Sequence, residues 1–160
     1  MTITSQTRAG AAARARAALV ARHAELQEVL DQWAGVLAAA ADRGEPIRPA
    51  KNLLGAFLAD EILPHTRAEE RTLYPAGRRD ARTSLLVRAL IGEHRALVSR
   101  AERLAAQAQP VAAAAAAEAI SALFAGHVAK ENDLLLPALE RSGTDLAALI
   151  AREDHLAGNW

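Results

Sequence analysis

Two stretches of the chain, His65-Thr66-Arg67-Ala68-Glu69 and His127-Val128-Ala129-Lys130-Glu131, repeat one pattern: a histidine followed four residues later by a glutamate. On a helix that spacing turns the second side chain only ~40° and moves it ~6 Å along the axis. The imidazole and the carboxylate therefore address the same point in space. Such a pair can bind one metal ion, or the carboxylate can bridge to a second. A lone HxxxE is most often a solvated pair on a helix surface and would say little. Here both copies lie among Leu, Ile and Phe, and each leads into a proline-terminated segment, Leu73-Tyr74-Pro75 and Leu134-Leu135-Leu136-Pro137. Two ionised glutamates inside an apolar core are costly unless positive charge compensates them. No Arg or Lys falls on the same stripes, so metal cations are the simplest partners.

The chain has five histidines. Two more of them, His23 and His94, fall on apolar stripes of their own, while His155 lies beyond these stripes and reads as a surface or packing residue. The candidate ligand set is thus His23, His65, Glu69, His94, His127 and Glu131. Six donors are too many for one tetrahedral zinc and suit two metals. Nitrogen and oxygen donors without sulfur fit Fe or Mn, with Zn as a competitor. The order is His-x-x-x-Glu, not the Glu-x-x-His of ferritin-like bundles.

Four segments must carry these donors. Apolar residues recur at helical spacing in each, and loops with Pro or Gly separate them. The first runs from about Ala13 to Ala41, with Leu19, His23, Leu26, Leu30, Trp33 and Leu37 on one face, and Asp42 to Pro46 stops it. The second runs from about Ala50 to Tyr74 through Leu54, Leu58, Glu61, Ile62, His65 and Glu69. Pro64 interrupts it and should bend the helix or remove a backbone bond, and Pro75-Ala76-Gly77 ends it. The third spans about Thr83 to Gln107 through Leu86, Leu90, His94, Leu97, Ala101 and Leu104. The fourth spans about Val111 to Leu139 through Ile120, Phe124, His127, Glu131, Leu134, Leu135 and Ala138. A short fifth helix near Asp145 to His155 is expected to pack across an open end. Short loops favour an all-α, antiparallel up-down-up-down four-helix bundle. Its expected extent is residues 13–140, after a flexible tail over 1–12 and before a C-terminal helix and tail over 141–160.

Composition agrees. Hydrophobic residues make up 51% of the chain and aromatic residues only 3%, with 9 Gly and 6 Pro in 160 residues, which favours one helical domain over a strand-rich fold. Basic and acidic residues balance at 19 each, so no electrostatic footprint for nucleic acid is present. Cysteine is absent, which removes disulfides, Cys-ligated zinc, iron–sulfur clusters and thiol nucleophiles. Residues 1–22 carry Arg but no acid, as a transit peptide does, yet cleavage there would cut into the first stripe. The longest apolar stretch, Val111 to Ala129, includes Glu118, Ser121 and His127 and makes a poor membrane span. A cytoplasmic protein without a membrane partner is the expectation.

With these motifs in place, the chain resembles the hemerythrin-like (HHE cation-binding) family. That family places one His on its first helix, HxxxE on the second, one His on the third and HxxxE on the fourth. The neighbouring words agree as well: Glu61-Ile62-Leu63-Pro64-His65, Glu69-Glu70, Leu73-Tyr74-Pro75 and Glu93-His94. The resemblance implies an antiparallel bundle around two iron ions in a carboxylate-bridged, oxo- or hydroxo-bridged di-iron centre that meets O2, H2O2 or NO. Oxygen-carrying members have a further histidine one turn after the one on the third helix, where this chain has Val98. The missing imidazole argues against reversible O2 transport and for an additional open coordination position. Glu70 and Glu93 are expected behind the ligands or on the surface, and Tyr74 either hydrogen-bonds near the site or, as the favoured reading, caps the helix end.

Three functions follow from this reading. The first is peroxide disproportionation or NO-linked peroxidase chemistry at the two irons. The second is a module that senses or binds O2 or iron and reports to a partner; with no effector domain expected beside the bundle, it ranks lower. The third is a di-iron oxidase acting on a small organic substrate, for which the low aromatic content offers few pocket walls. An iron-storage or structural bundle is the bland alternative.

Overall fold

The computed structural model describes residues 3–157, and these are helical with short connections and no strand. Helix α1 (Ile3–Asp42) is followed by α2 (Arg48–Phe57), a π-helical turn (Leu58–Ile62) and α3 (Leu63–Arg71), which continue one another. Next come the single-turn α4 (Leu73–Gly77) and the long α5 (Ala81–Ala106). Helix α6 (Pro110–Lys130) runs through a second π turn (Glu131–Leu135) into α7 (Leu136–Arg141), and α8 (Leu146–Ala157) closes the described chain.

Helix α1 begins well before the expected Ala13 because the Ala- and Arg-rich opening has high intrinsic helix propensity. Its early turns also have a packing surface. Ala12 and Ala15 lie against the apolar cluster that includes Leu136 and Leu139, and Arg16 reaches Glu140 at 3.1 Å. The helix ends at Gly44, whose φ of 68° is left-handed, with Glu45 N–H bonded back to Ala40 O at 2.9 Å.

Helix α1 packs on α6 and α2, α5 packs on α6 and α2, and α8 lies against α3 and α1. One apolar cluster includes Leu26, Leu30, Leu54, Leu58, Leu97, Ile120 and Phe124; the other includes Leu19, Leu73, Leu90, Leu135, Leu136, Leu146 and Ile150. The two sit at opposite ends of a polar layer. His23 comes between Leu19 and Leu26, His94 between Leu90 and Leu97, and His65 with Glu69 between Ile62 and Leu73. Each helix thus spends two turns of its inner face on chemistry and the rest on the hydrophobic burial that holds those turns in place.

The segment Pro110–Arg141 is long and apolar enough, at a mean hydropathy of 1.5, to pass for a membrane span. Its buried His127 and Glu131, and its packing against α1 and α5, make it a core helix of the bundle.

Candidate metal centre

Both prolines that interrupt the helices are accommodated by π turns. In the first, the N–H of Leu63 bonds to Leu58 O, five residues back, and Pro64 follows at the start of α3. In the second, the N–H of Leu136 bonds to Glu131 O, and Pro137 follows at the start of α7. A proline lacks the N–H that a regular turn would need, and widening the turn by one residue absorbs that loss. The extra residue also rotates everything beyond it. Leu134, expected inside, is therefore 52% exposed, while Leu135 and Leu136 are fully buried. Glu61, likewise expected inside, lies in the first π turn and pairs with Arg22 at 2.5 Å on the surface. On α1 the inner position belongs to Ala34 rather than the partly buried Trp33.

Each of the six residues singled out by spacing is buried in the polar layer, at 0–3% exposure. Their inward atoms form two groups that share Glu69: His23, His65 and Glu69, and Glu69, His94, His127 and Glu131. Glu69 Oε1 lies 3.3 Å from His23 Nε2 and 3.2 Å from His65 Nε2, and Glu69 Oε2 lies 3.5 Å from His94 Nε2. Glu131 Oε2 is 3.5 Å from His127 Nε2 and 3.7 Å from His23 Nε2. All four imidazoles therefore turn the same nitrogen, Nε2, toward the two carboxylates.

Their other nitrogens each have an acceptor outside this ring. The Nδ1 of His23 meets Asn132 Oδ1 at 2.8 Å, that of His65 meets Glu153 at 2.9 Å, that of His94 meets Glu70 at 2.8 Å and that of His127 meets Glu93 at 3.0 Å. Glu93 is in turn held by Lys130. An acceptor at Nδ1 fixes the proton there and leaves the Nε2 lone pair free to bind a cation, which is the usual support for a metal-ligating histidine.

Without a cation, this layer relies on bound protons to offset its carboxylates. Burial works against the Glu69 charge, but His65, His23 and His94 hold its carboxyl well below the usual range. Burial and the Glu69 charge push Glu131 well above it. Burial also lowers His65, yet Glu69 and Glu153 overcome that and keep its pKa well above the ordinary value. His127 falls to about 4, chiefly from burial and against the pull of Glu69, with His94 adding to the fall. Two carboxylates this close and this dry cannot both stay ionised on imidazoles alone. Among the described residues, His65 Nε2, Glu69 Oε2 and Glu131 Oε2 are also buried without any hydrogen bond. These unpartnered atoms from two carboxylates and one imidazole, in a layer toward which all four imidazoles turn Nε2, fit metal ions.

Tyr74 is not a helix-end cap. It is fully buried, donates to Glu131 Oε1 at 2.6 Å, and places its phenol oxygen 3.1 Å from His94 Nε2 and 3.5 Å from His127 Nε2. Gly77 makes room for this. A Cβ there would come within 2.7 Å of the Val87 side chain and 2.9 Å of the Leu135 side chain, so a larger residue would push them aside where α4 presses against α5 and the second π turn. Val98 is 37% exposed and belongs to neither group, whereas Tyr74 lines the side of the cluster near His94 and His127. Glu70 and Glu93 accept from the Nδ1 atoms of His94 and His127 and so stand behind these histidines. Glu153 had no spacing signal relative to the HxxxE pairs. Its mark in the sequence is its position after Leu146 and Ile150 on the α8 stripe, where an acid stands among buried apolar residues. His155 lies exposed on α8, outside both groups.

No curated protein and no solved structure matches the chain. The family model described as the hemerythrin HHE cation binding domain matches residues 14–154, a span that takes in both HxxxE motifs, His23, His94 and Glu153 on α8. With nearly the whole chain covered and the family's histidines and glutamates gathered in one buried layer, this chain belongs to the hemerythrin HHE cation-binding family.

Proposed function

We propose that the chain is a non-haem di-iron protein, built as an antiparallel up-down-up-down bundle, that reacts with O2, peroxide or nitric oxide in detoxification or redox response. The observation that carries this reading is the sharing of Glu69 between two donor groups, as a carboxylate bridging two metals would require. The donors are imidazole, carboxylate and a nearby phenol, without sulfur, a set suited to iron. Bound there, a pair of iron ions would supply one-electron steps and coordination positions for a small oxidant.

The residues of the chain do the rest. His23, His65, His94 and His127 present Nε2 from four sides, each held by its Nδ1 acceptor. Glu69 and Glu131 supply the negative charge, and Tyr74 holds its phenol proton against Glu131 Oε1. A groove of about 330 Å³ lined by Val20, Ala24, Ala125, Val128 and Ala129 borders the layer at His23 and Asn132.

Metal analysis with an absorption spectrum of aerobically purified protein, followed by peroxide and NO consumption assays, tests this. Two irons per chain, near-ultraviolet charge-transfer bands and turnover lost in Glu131→Ala are expected. One metal or fewer in fully reconstituted protein would overturn the dinuclear reading.

A further inference from the structure

Helix α8 follows the four segments that carry the ligands, yet it sends one carboxylate into their polar layer. Leu146, Ile150 and Glu153 form a single stripe on α8, exposed by 0%, 3% and 0%. The two apolar residues join the cluster that includes Leu19, Leu73 and Leu136, and Glu153 meets His65 Nδ1 at 2.9 Å. Its other oxygen, Oε2, is buried with no hydrogen bond. For anchoring a helix this is a poor choice, because a leucine would bury as well and leave no dry charge behind.

The contrast with the other Nδ1 acceptors explains the acid. Glu70 and Glu93 keep 40% and 22% of their side chains exposed, and Asn132 is neutral. Glu153 is the ionisable acceptor shielded from water, so its pull on the His65 N–H is least screened. It also backs the smaller group, where His23, His65 and Glu69 offer three donors against four in the other. A carboxylate behind His65 makes that imidazole a stronger donor where donors are fewest.

We propose that Glu153 is a positioning residue for the metal centre: it fixes His65 with Nε2 facing Glu69 and strengthens cation binding at the His23–His65–Glu69 position, so that docking of α8 and occupancy of that position are linked. This rests on the metal-site reading above. The linkage is reciprocal by necessity. If metal affinity drops when α8 lifts away, metal binding holds α8 down by the same factor.

The experiment is an anaerobic ferrous-iron titration of the full chain, wild type against Glu153→Leu and Glu153→Gln, with amide hydrogen exchange followed across 146–157. Leucine keeps the burial but removes acceptor and charge; glutamine keeps an acceptor without the charge. In Glu153→Leu the second, weaker iron should bind roughly 10–100-fold less tightly while the first is unchanged, with Glu153→Gln in between. In wild type, iron should slow exchange across α8 by a similar factor, and that response should vanish in Glu153→Leu. Wild-type affinity for both irons in a folded Glu153→Leu overturns the proposal. Identical α8 exchange in metal-free and loaded wild type also overturns it, and this arm decides if Glu153→Leu does not fold. Two irons with an indifferent α8 sink this inference alone, whereas failure of wild type to take a second iron sinks the dinuclear reading with it.

Discussion

Tyr74 donates its phenol hydrogen to Glu131 Oε1 at 2.6 Å, and the same oxygen sits 3.1 Å from His94 Nε2. With metal–donor bonds of ~2.0–2.2 Å, neighbouring ligand atoms of one ion lie ~3 Å apart, so this phenol is within reach of a cation bound by His94 and His127. In the metal-free layer, burial and the nearby glutamates push Tyr74 far above its ordinary pKa, so only a cation can draw off its proton. Ferric protein should therefore show a visible phenolate charge-transfer band that Tyr74→Phe lacks. Metal-free Tyr74→Phe should also lose about 1–3 kcal/mol of stability, because Glu131 Oε1 is left without its donor. Identical visible spectra for the two ferric proteins would remove Tyr74 from the ligand set.

The two glutamates are not equivalent. Glu69 belongs to both donor groups and Glu131 to one. Glu69→Ala should abolish binding of both metals, whereas Glu131→Ala should chiefly impair the position at His94 and His127. Each should lower the melting temperature of protein prepared with metal, since metal at a thousandfold above its Kd adds about 4 kcal/mol to the folded state. His155→Ala should bind metal as wild type does. Metal analysis of the three variants beside their melting curves checks the order, and a Glu69→Ala protein that still held two metals would break it.

Glu93 and Glu70 should matter through the histidines they hold. Glu93→Ala leaves His127 Nδ1 without its 3.0 Å partner, and Glu70→Ala does the same to His94 at 2.8 Å. Either should weaken metal binding by roughly 10–100-fold. Glu70 is the more solvent-exposed, so water can replace it and its loss should fall at the mild end. Chelator-competition titrations would read both, and an unchanged affinity in Glu93→Ala would mean that His127 needs no outer partner.

The gathering of the six candidate donors into one layer was legible in the sequence because a helix translates spacing into direction. His65 with Glu69, and His127 with Glu131, could only face one way once their stripes were known, and His23 and His94 stood on stripes of their own. What surrounds them was not legible. Glu153 reaches His65 from a separate helix, and Tyr74 reaches Glu131 from a one-turn helix whose close packing is helped by the missing Cβ of Gly77. Such contacts depend on tertiary approach and leave no period. Pro64 announced a disturbance, but a π turn, a bend and a lost bond read alike in sequence. The resulting rotation is why Leu134 lies outside.

Stability of the metal-free protein should fall as pH rises above about 6.5. Glu131 and His65 both keep protons in the folded layer above their ordinary values of 4.5 and 6.5. The folded state then binds more protons than the unfolded chain, and stability declines with pH. His127, depressed to about 4 from 6.5, has the opposite sign and offsets Glu131 between those values. Glu69, also depressed, adds stability only as pH rises toward its ordinary 4.5. Above 6.5 the two raised groups remain, and their contribution is lost as each titrates in the folded state. Metal ions replace those protons, so the gap in melting temperature between loaded and chelated protein should widen toward alkaline pH. A chelated protein whose melting temperature climbs over that range would contradict the assignment of charges.

The reduced protein should oxidise in air rather than carry O2. Glu69, Glu131 and the phenol of Tyr74 give the layer three oxygen donors able to bear negative charge. Negative donors favour the higher charge state of a bound metal, because the attraction grows with that charge and the layer is dry. Val98 lies outside both donor groups, so no neutral imidazole takes the place of the phenol beside His94 and His127. A site biased this way gives up electrons readily and regains them only from an added reductant, which suits turnover with peroxide or NO and not reversible capture. Oxygen titration of dithionite-reduced protein, followed by deoxygenation under vacuum, tests the point. Rapid conversion to the ferric spectrum is expected, with slower conversion in Tyr74→Phe, which keeps the carboxylates and loses the phenol. A long-lived oxygenated spectrum in wild type that reverses under vacuum would show that three negative donors do not set the balance, and would restore O2 carriage as the function.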